Sequence, residues 1–134
     1  MPSDPQFRGR IEARAQDILD AIGRIREFTR GFDDMRYSKD RKTQSAVERE
    51  LLTISEACGK MQDLEAAAGI VEAKRLEKRF PRIPWQQIRG IGNVLRHEYG
   101  RVDWRIIWNT VVARGDLAAL RNALVTAFPH LSKK

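Results

Sequence analysis

Apolar residues recur at intervals of three and four along nearly the whole chain, and no stretch alternates apolar and polar residues as a half-buried strand would. A period near 3.6 collects apolar side chains on one face of a helix, so the pattern restricts the chain to helices packed stripe against stripe. Ile11, Ala15, Ile18, Ile22 and Ile25 form a first stripe, closed near Gly31. Val47, Leu51, Ile54, Cys58 and Met61 form a second, with Asp40 placed as its N-cap. A short third helix is expected from about Ile70 to Phe80, before PRIPW breaks the chain. Pro84 suits the first turn of a fourth helix, on which Trp85, Ile88, Gly92 and Leu95 keep the rhythm. A fifth starts with Asp103 as N-cap and buries Trp104, Ile107 and Val111; after Gly115, Asp116 is placed to cap a last stretch through Leu117, Leu120 and Leu124. Asp33, Asp34 and Arg36 read as loop, and the tail with His130 as unstructured. The expected architecture is all-α, an antiparallel bundle of about five helices.

At 134 residues the chain has room for one compact core and too little for two ordinary domains, so a single domain is expected, with its core over about residues 8–128 and short tails. The amino-terminal MPSDPQFRGR has no apolar segment behind its charges, and the longest apolar runs span only a few residues. Neither a secretory signal nor a membrane span is expected, which makes the cytoplasm the expected compartment. One cysteine cannot form an internal disulfide, and with two distant histidines it cannot build a Cys/His zinc cage. No metal or cofactor is expected. Cys58 lies on the second stripe and reads as a buried apolar residue rather than a nucleophile. The net charge of +7 permits binding to a polyanion, but the cations are spread along the chain, and a solvated basic surface explains them equally well.

The stretch GNVLRHEYGRVDW, Gly92 to Trp104, holds the chemistry. At 100° per residue His97 lies about 180° from Ile88 and about 160° from Leu95, on the polar side of the fourth helix with Asn93, Gln86 and, less closely, Arg89. A solvated histidine is the plain reading of that placement. Two features point beyond it. Gly90 and Gly92 each cost a helix about 1 kcal/mol relative to alanine, a cost more easily understood where another backbone or a ligand comes close. Arg96, His97, Tyr99 and Arg101 also gather four groups able to hold or protonate phosphate oxygens within six residues. Glu98 and Asp103 read as solvent-facing or capping carboxylates, and Trp85, Trp104 and Trp108 as core or interface residues rather than stacking platforms.

These residues resemble the HepT-like proteins of the HEPN superfamily, the toxin halves of toxin-antitoxin pairs whose antitoxin is a minimal nucleotidyltransferase of the MNT type. The resemblance runs from about Ala15 to Phe128. DRKTQSAVERELLTISEAC, Asp40 to Cys58, is similar to the family's second-helix signature, and FPRIPWQQIRGIGNVLRHEYGRVDWRIIWNTV, Phe80 to Val111, follows its pattern P-x-I-P-W, N-x-L-x-H-x-Y, D, I-W-x-T in order and spacing. His97 and Tyr99 fall on the histidine and tyrosine of the family motif, which reads Arg, four residues, His, any residue, Tyr; Asn93 falls on the polar residue that follows the arginine. Gly92 stands where the arginine belongs.

The resemblance implies a homodimer that cleaves RNA without metal at a cleft between its two copies, with His97 in a proton-transfer role. Arg96 or Arg89 would stand in for the missing cation, Asn93 would assist and Arg101 would hold RNA. It implies that Tyr99 is the site at which the antitoxin transfers AMP from ATP, blocking the cleft by volume and charge. A second reading keeps the dimer and the antitoxin surface but loses cleavage with the arginine. A third, a basic helical RNA or nucleotide binder with no antitoxin, accounts for the charge and not for the Tyr99 motif.

Overall fold

The computed structural model describes residues 5–98, 102–113 and 115–133. Its α-helices are α1 (Pro5–Phe28), α2 (Asp34–Lys39), α3 (Arg41–Ala67), α4 (Leu76–Arg79), α5 (Trp85–His97), α6 (Trp104–Trp108) and α7 (Asp116–Ala127). Short 3-10 turns occupy Glu72–Lys74 and Pro129–Lys133, and a π-helical turn, Asn109–Ala113, widens the end of α6. The described residues contain no strand.

The long helices bury the stripes read from the sequence. Ile11, Ala15, Ile18, Ile22 and Ile25 of α1 meet Val47, Leu51, Ile54, Cys58 and Met61 of α3, and all ten are 5% exposed or less. Asp40 caps α3 by accepting the Thr43 N–H at 2.9 Å. On the other side α3 receives α5 through Trp85, Ile88, Gly92 and Leu95, all buried. The two run antiparallel: Ser55 lies against Gly92, and Cys58, further along α3, lies near Arg89, earlier on α5. Leu117, Leu120 and Leu124 seat α7 against α1 and complete a continuous core. Burial pushes the Cys58 thiol up to about 12, so it remains protonated and inert as a nucleophile. No described helix is long and apolar enough to cross a membrane.

Four local expectations are corrected. The segment from Ile70 to Phe80 is not one helix. Gly69, at φ +72°, ends the preceding helix, Val71 is exposed, and only the 3-10 turn and four-residue α4 follow. This segment buries Leu76 alone and has no stripe to sustain a longer helix. Asp34 and Arg36 belong to α2, which Asp33 caps from the preceding loop by accepting the Arg36 N–H at 2.8 Å; Tyr37, buried against Trp108 with ring centroids 5.0 Å apart, anchors this short helix to α6. Asp116 does not cap α7: Gly115, at φ +67°, occupies that position, and Asp116 is the first helical residue. His130 is ordered in the last 3-10 turn, with Nε2 3.3 Å from Glu12 of α1.

Candidate active site

The site is built on the last two turns of α5. Trp85 fixes the start of this helix by donating its indole N–H to the Phe80 carbonyl at 2.9 Å. At its middle, Ser55 of α3 donates its hydroxyl to the Arg89 carbonyl at 2.7 Å and accepts the Gly92 N–H at 3.1 Å. A Cβ at position 92 would stand 2.5 Å from Ser55 Oγ, so glycine is what permits this approach. Nothing lies within 4 Å of a Cβ built on Gly90, which borders an open groove instead. Position 92 is therefore part of the α3–α5 contact.

Away from that buried face Gln86, Asn93 and His97 are exposed to solvent, and Arg96, exposed at its edge, has its guanidinium 3.5 Å from a Cβ built on Gly92. His97 is the final helical residue. Asn93 lies one turn earlier and about 40° around the axis, on the same edge. Arg96 bends toward it: one guanidinium nitrogen donates to Asn93 Oδ1 at 3.1 Å and another to Glu56 of α3 at 2.9 Å. This ion pair is 44% and 49% exposed, so it is worth about 0–1 kcal/mol and an arriving phosphate can displace Glu56. Arg89 is placed differently. It is half-buried and bound to Glu77 of α4, toward the side of the bundle that holds Cys58. The structure thus joins Asn93 to Arg96, the residue before His97, and holds Arg89 apart on Glu77.

Tyr99 and Arg101 lie outside the described residues. Among the described residues no three His, Cys, Asp or Glu side chains come together to hold a metal ion.

Two hollows flank the end of α5. One, of about 700 Å³, is apolar: Ile88, Gly90, Ile91 and Val94 face Ile106 and Ile107, and Val94 and Ile106 are 47% and 60% exposed. The other, also about 700 Å³, has a mixed lining and lies between the first half of α3 and the end of α5, with Arg41, Gln44, Glu48, Arg49 and Arg96 beside Leu52, Leu95 and Val102. Burial raises the Glu48 carboxyl above its ordinary value. Sequence reasoning passed over this α3 face. Its signal is the spacing of Arg41, Ser45 and Arg49 at steps of four, which defines a helix edge without saying which neighbour it faces.

Known proteins share this arrangement of sequence. A family model for HepT-like ribonucleases matches residues 18–127. A Thermococcus cleftensis protein named probable ribonuclease HepT is 36% identical over 106 residues, covering 79% of this chain and 84% of that one. Two Methanocaldococcus jannaschii proteins carried as candidate RNases are 27% identical over 101 residues and 28% over 102, covering 83% and 75% of their own lengths and 75% and 76% of this chain. No solved structure matches the chain significantly. The match spans the packed helices and the His97 motif alike, and the chain belongs to the HepT-like ribonuclease family of the HEPN superfamily.

Proposed function

We propose that this chain is a metal-independent endoribonuclease, the toxin of a toxin-antitoxin pair, which works as a homodimer and is silenced when a nucleotidyltransferase antitoxin transfers AMP to Tyr99. The observation that carries the reading is the exposed His97 at the end of α5, with the Arg96 guanidinium held beside Asn93 one turn away. RNA cleavage of this kind needs a base to take the proton of the 2'-hydroxyl as its oxygen attacks phosphorus. It needs an acid to protonate the departing 5'-oxygen, and a cation for the charge that grows on the phosphate. The products are a 2',3'-cyclic phosphate and a 5'-hydroxyl. One imidazole cannot be base and acid in the same step, and His130 sits against Glu12. Two copies of α5 facing one cleft supply two His97 imidazoles, and Arg96 supplies the cation.

Tyr99 follows His97 by two residues, and an adenylyl group there adds bulk and negative charge where RNA must bind. Incubated with ATP and its nucleotidyltransferase, the wild-type chain is expected to gain AMP and Tyr99→Phe to gain none; equal gain by both moves the modification elsewhere.

The deciding experiment treats total and transfer RNA with metal-free protein in chelator, after intact mass measurement shows Tyr99 free of adduct. Wild type should leave 2',3'-cyclic phosphate ends. His97→Ala should cleave about 10²–10⁴-fold more slowly, the usual size of a lost general acid or base. Arg96→Gln should lose about 10²-fold, as when one oxyanion-stabilising donor is removed, whereas Arg89→Gln should alter stability more than rate. If unmodified wild type is as inert as His97→Ala, the chain is a binding module that lost cleavage with the arginine.

A further inference from the structure

The mixed polar and apolar hollow beside Arg96 has a composition that the proton-transfer chemistry does not require. Arg41, Ser45, Glu48, Arg49 and Leu52 fall within one narrow face of α3, and Arg41 and Arg49 stand two turns apart, about 12 Å along the axis. Among the described residues neither arginine makes an ion pair, whereas Arg96, on the same hollow, is bound to Glu56. Both are exposed at the rim. Leu52, Leu95 and Val102 give the hollow apolar walls. Glu48, half-buried and also without an ion pair, is the only carboxylate lining it among the described residues. Arg96, which lines the hollow, also bonds Asn93 and directly precedes His97, so the hollow lies next to the end of α5 that carries His97.

We propose that this hollow binds one nucleotide of single-stranded RNA adjoining the bond that is cut. Arg41 and Arg49 take its flanking phosphates, Leu52, Leu95 and Val102 cover the face of its base, and Glu48 accepts a hydrogen bond from the base's exocyclic amino group. Apolar walls with a few convergent polar groups are how concave sites take flat ligands. Unstacked RNA bases are read on their hydrogen-bonding edges, where a carboxylate selects an amino donor such as the N4 of cytosine and repels the carbonyl that uridine presents there. The inference rests on the ribonuclease reading and adds to it a substrate-binding surface with a base preference.

Its test measures binding of the whole wild-type chain to uncleavable 2'-O-methyl oligocytidylate and oligouridylate of equal length, by fluorescence anisotropy over a range of salt. Arg41→Gln with Arg49→Gln should weaken binding about tenfold and reduce the slope of log K against log salt by about 1.4, the value for two single-strand phosphate contacts. Arg82→Gln with Arg121→Gln removes equal charge from other hollows and should leave the slope near that of wild type. Wild type should prefer cytidine about tenfold, and Glu48→Gln, whose amide can also donate, should abolish the preference. If the two double variants weaken binding equally, the hollow lies off the RNA path, and cleavage by wild type still decides the ribonuclease reading. If wild type binds and cleaves RNA without distinguishing the two bases, the role given to Glu48 is overturned. If the Arg41, Arg49 variant keeps its RNA affinity but no longer binds the nucleotidyltransferase, the hollow is a protein contact. Wild type that neither binds nor cleaves RNA removes both proposals together.

Discussion

Gly92 meets Ser55 across the α3–α5 contact, where an added methyl group would stand 2.5 Å from Ser55 Oγ and 3.1 Å from its Cβ. The Ser55 hydroxyl cannot turn aside freely, because it donates to the Arg89 carbonyl and accepts the Gly92 N–H. Alanine gains about 1 kcal/mol of helix propensity, but overpacking a closed contact costs about 1–3 kcal/mol. Gly92→Ala should therefore lower the urea midpoint. Ser55→Ala in the same chain should recover part of the loss, with a coupling of about 1 kcal/mol in the double-mutant cycle. A Gly92→Ala protein as stable as wild type would show that Ser55 yields without penalty. Gly92→Arg adds a side chain that starts against Ser55 and 3.5 Å from the Arg96 guanidinium. It should lose stability without gaining cleavage. The sequence announced one close approach through two helix-weakening glycines, and only the packing distinguishes Gly92, which Ser55 touches, from Gly90, which borders open space.

Among the elements, the four long helices were legible because each carries a stripe of several apolar residues, and every stripe position read from α1, α3, α5 and α7 is buried. Shorter pieces lack that redundancy. The six residues of α2 show one buried side chain, Tyr37, whose partner Trp108 lies far along the chain, and no local pattern announces such a contact. The segment after α3 is likewise held by a few distant interactions, among them the pair of Glu77 with Arg89. Glu65, 5% exposed, accepts the Leu76 N–H at 2.9 Å and ties the end of α3 to the start of α4. Burial raises its carboxyl above 4.5, against the lowering effects of the Leu76 hydrogen bond and Arg75. A carboxyl with a raised native pKa binds its proton more tightly when folded. The native state is therefore favoured at low pH and loses stability as pH climbs from about 4.5 through the raised native value. Glu65→Gln keeps an acceptor oxygen for Leu76 and removes the charge. Denaturant unfolding of both proteins from pH 4 to pH 7 should show wild type losing stability relative to the amide as pH rises. A difference that stays constant across that range would mean that Arg75 and its neighbours compensate the buried charge fully.

For the whole molecule the question is how many copies make one site. The net charge of +7 favours RNA association without locating it; each copy exposes two imidazoles, of which His130 is held against Glu12 and His97 ends α5. If base and acid are the two His97 side chains of one dimer, a dimer holding one altered copy has no working cleft. Activity must then depend on the square of the wild-type fraction. Mixing one part wild type with three parts His97→Ala, after subunits have exchanged, should cut the activity per wild-type chain to about a quarter. Activity that stays proportional to wild type would place base and acid within one copy, and the second role would pass to another group near Arg96. The same mixture made with Arg96→Gln separates the two functions. A cation is needed once per cleaved phosphate, so heterodimers that keep one Arg96 should retain cleavage where those that keep one His97 do not. Matching losses in the two mixtures would instead put both arginines, like both histidines, on the same phosphate.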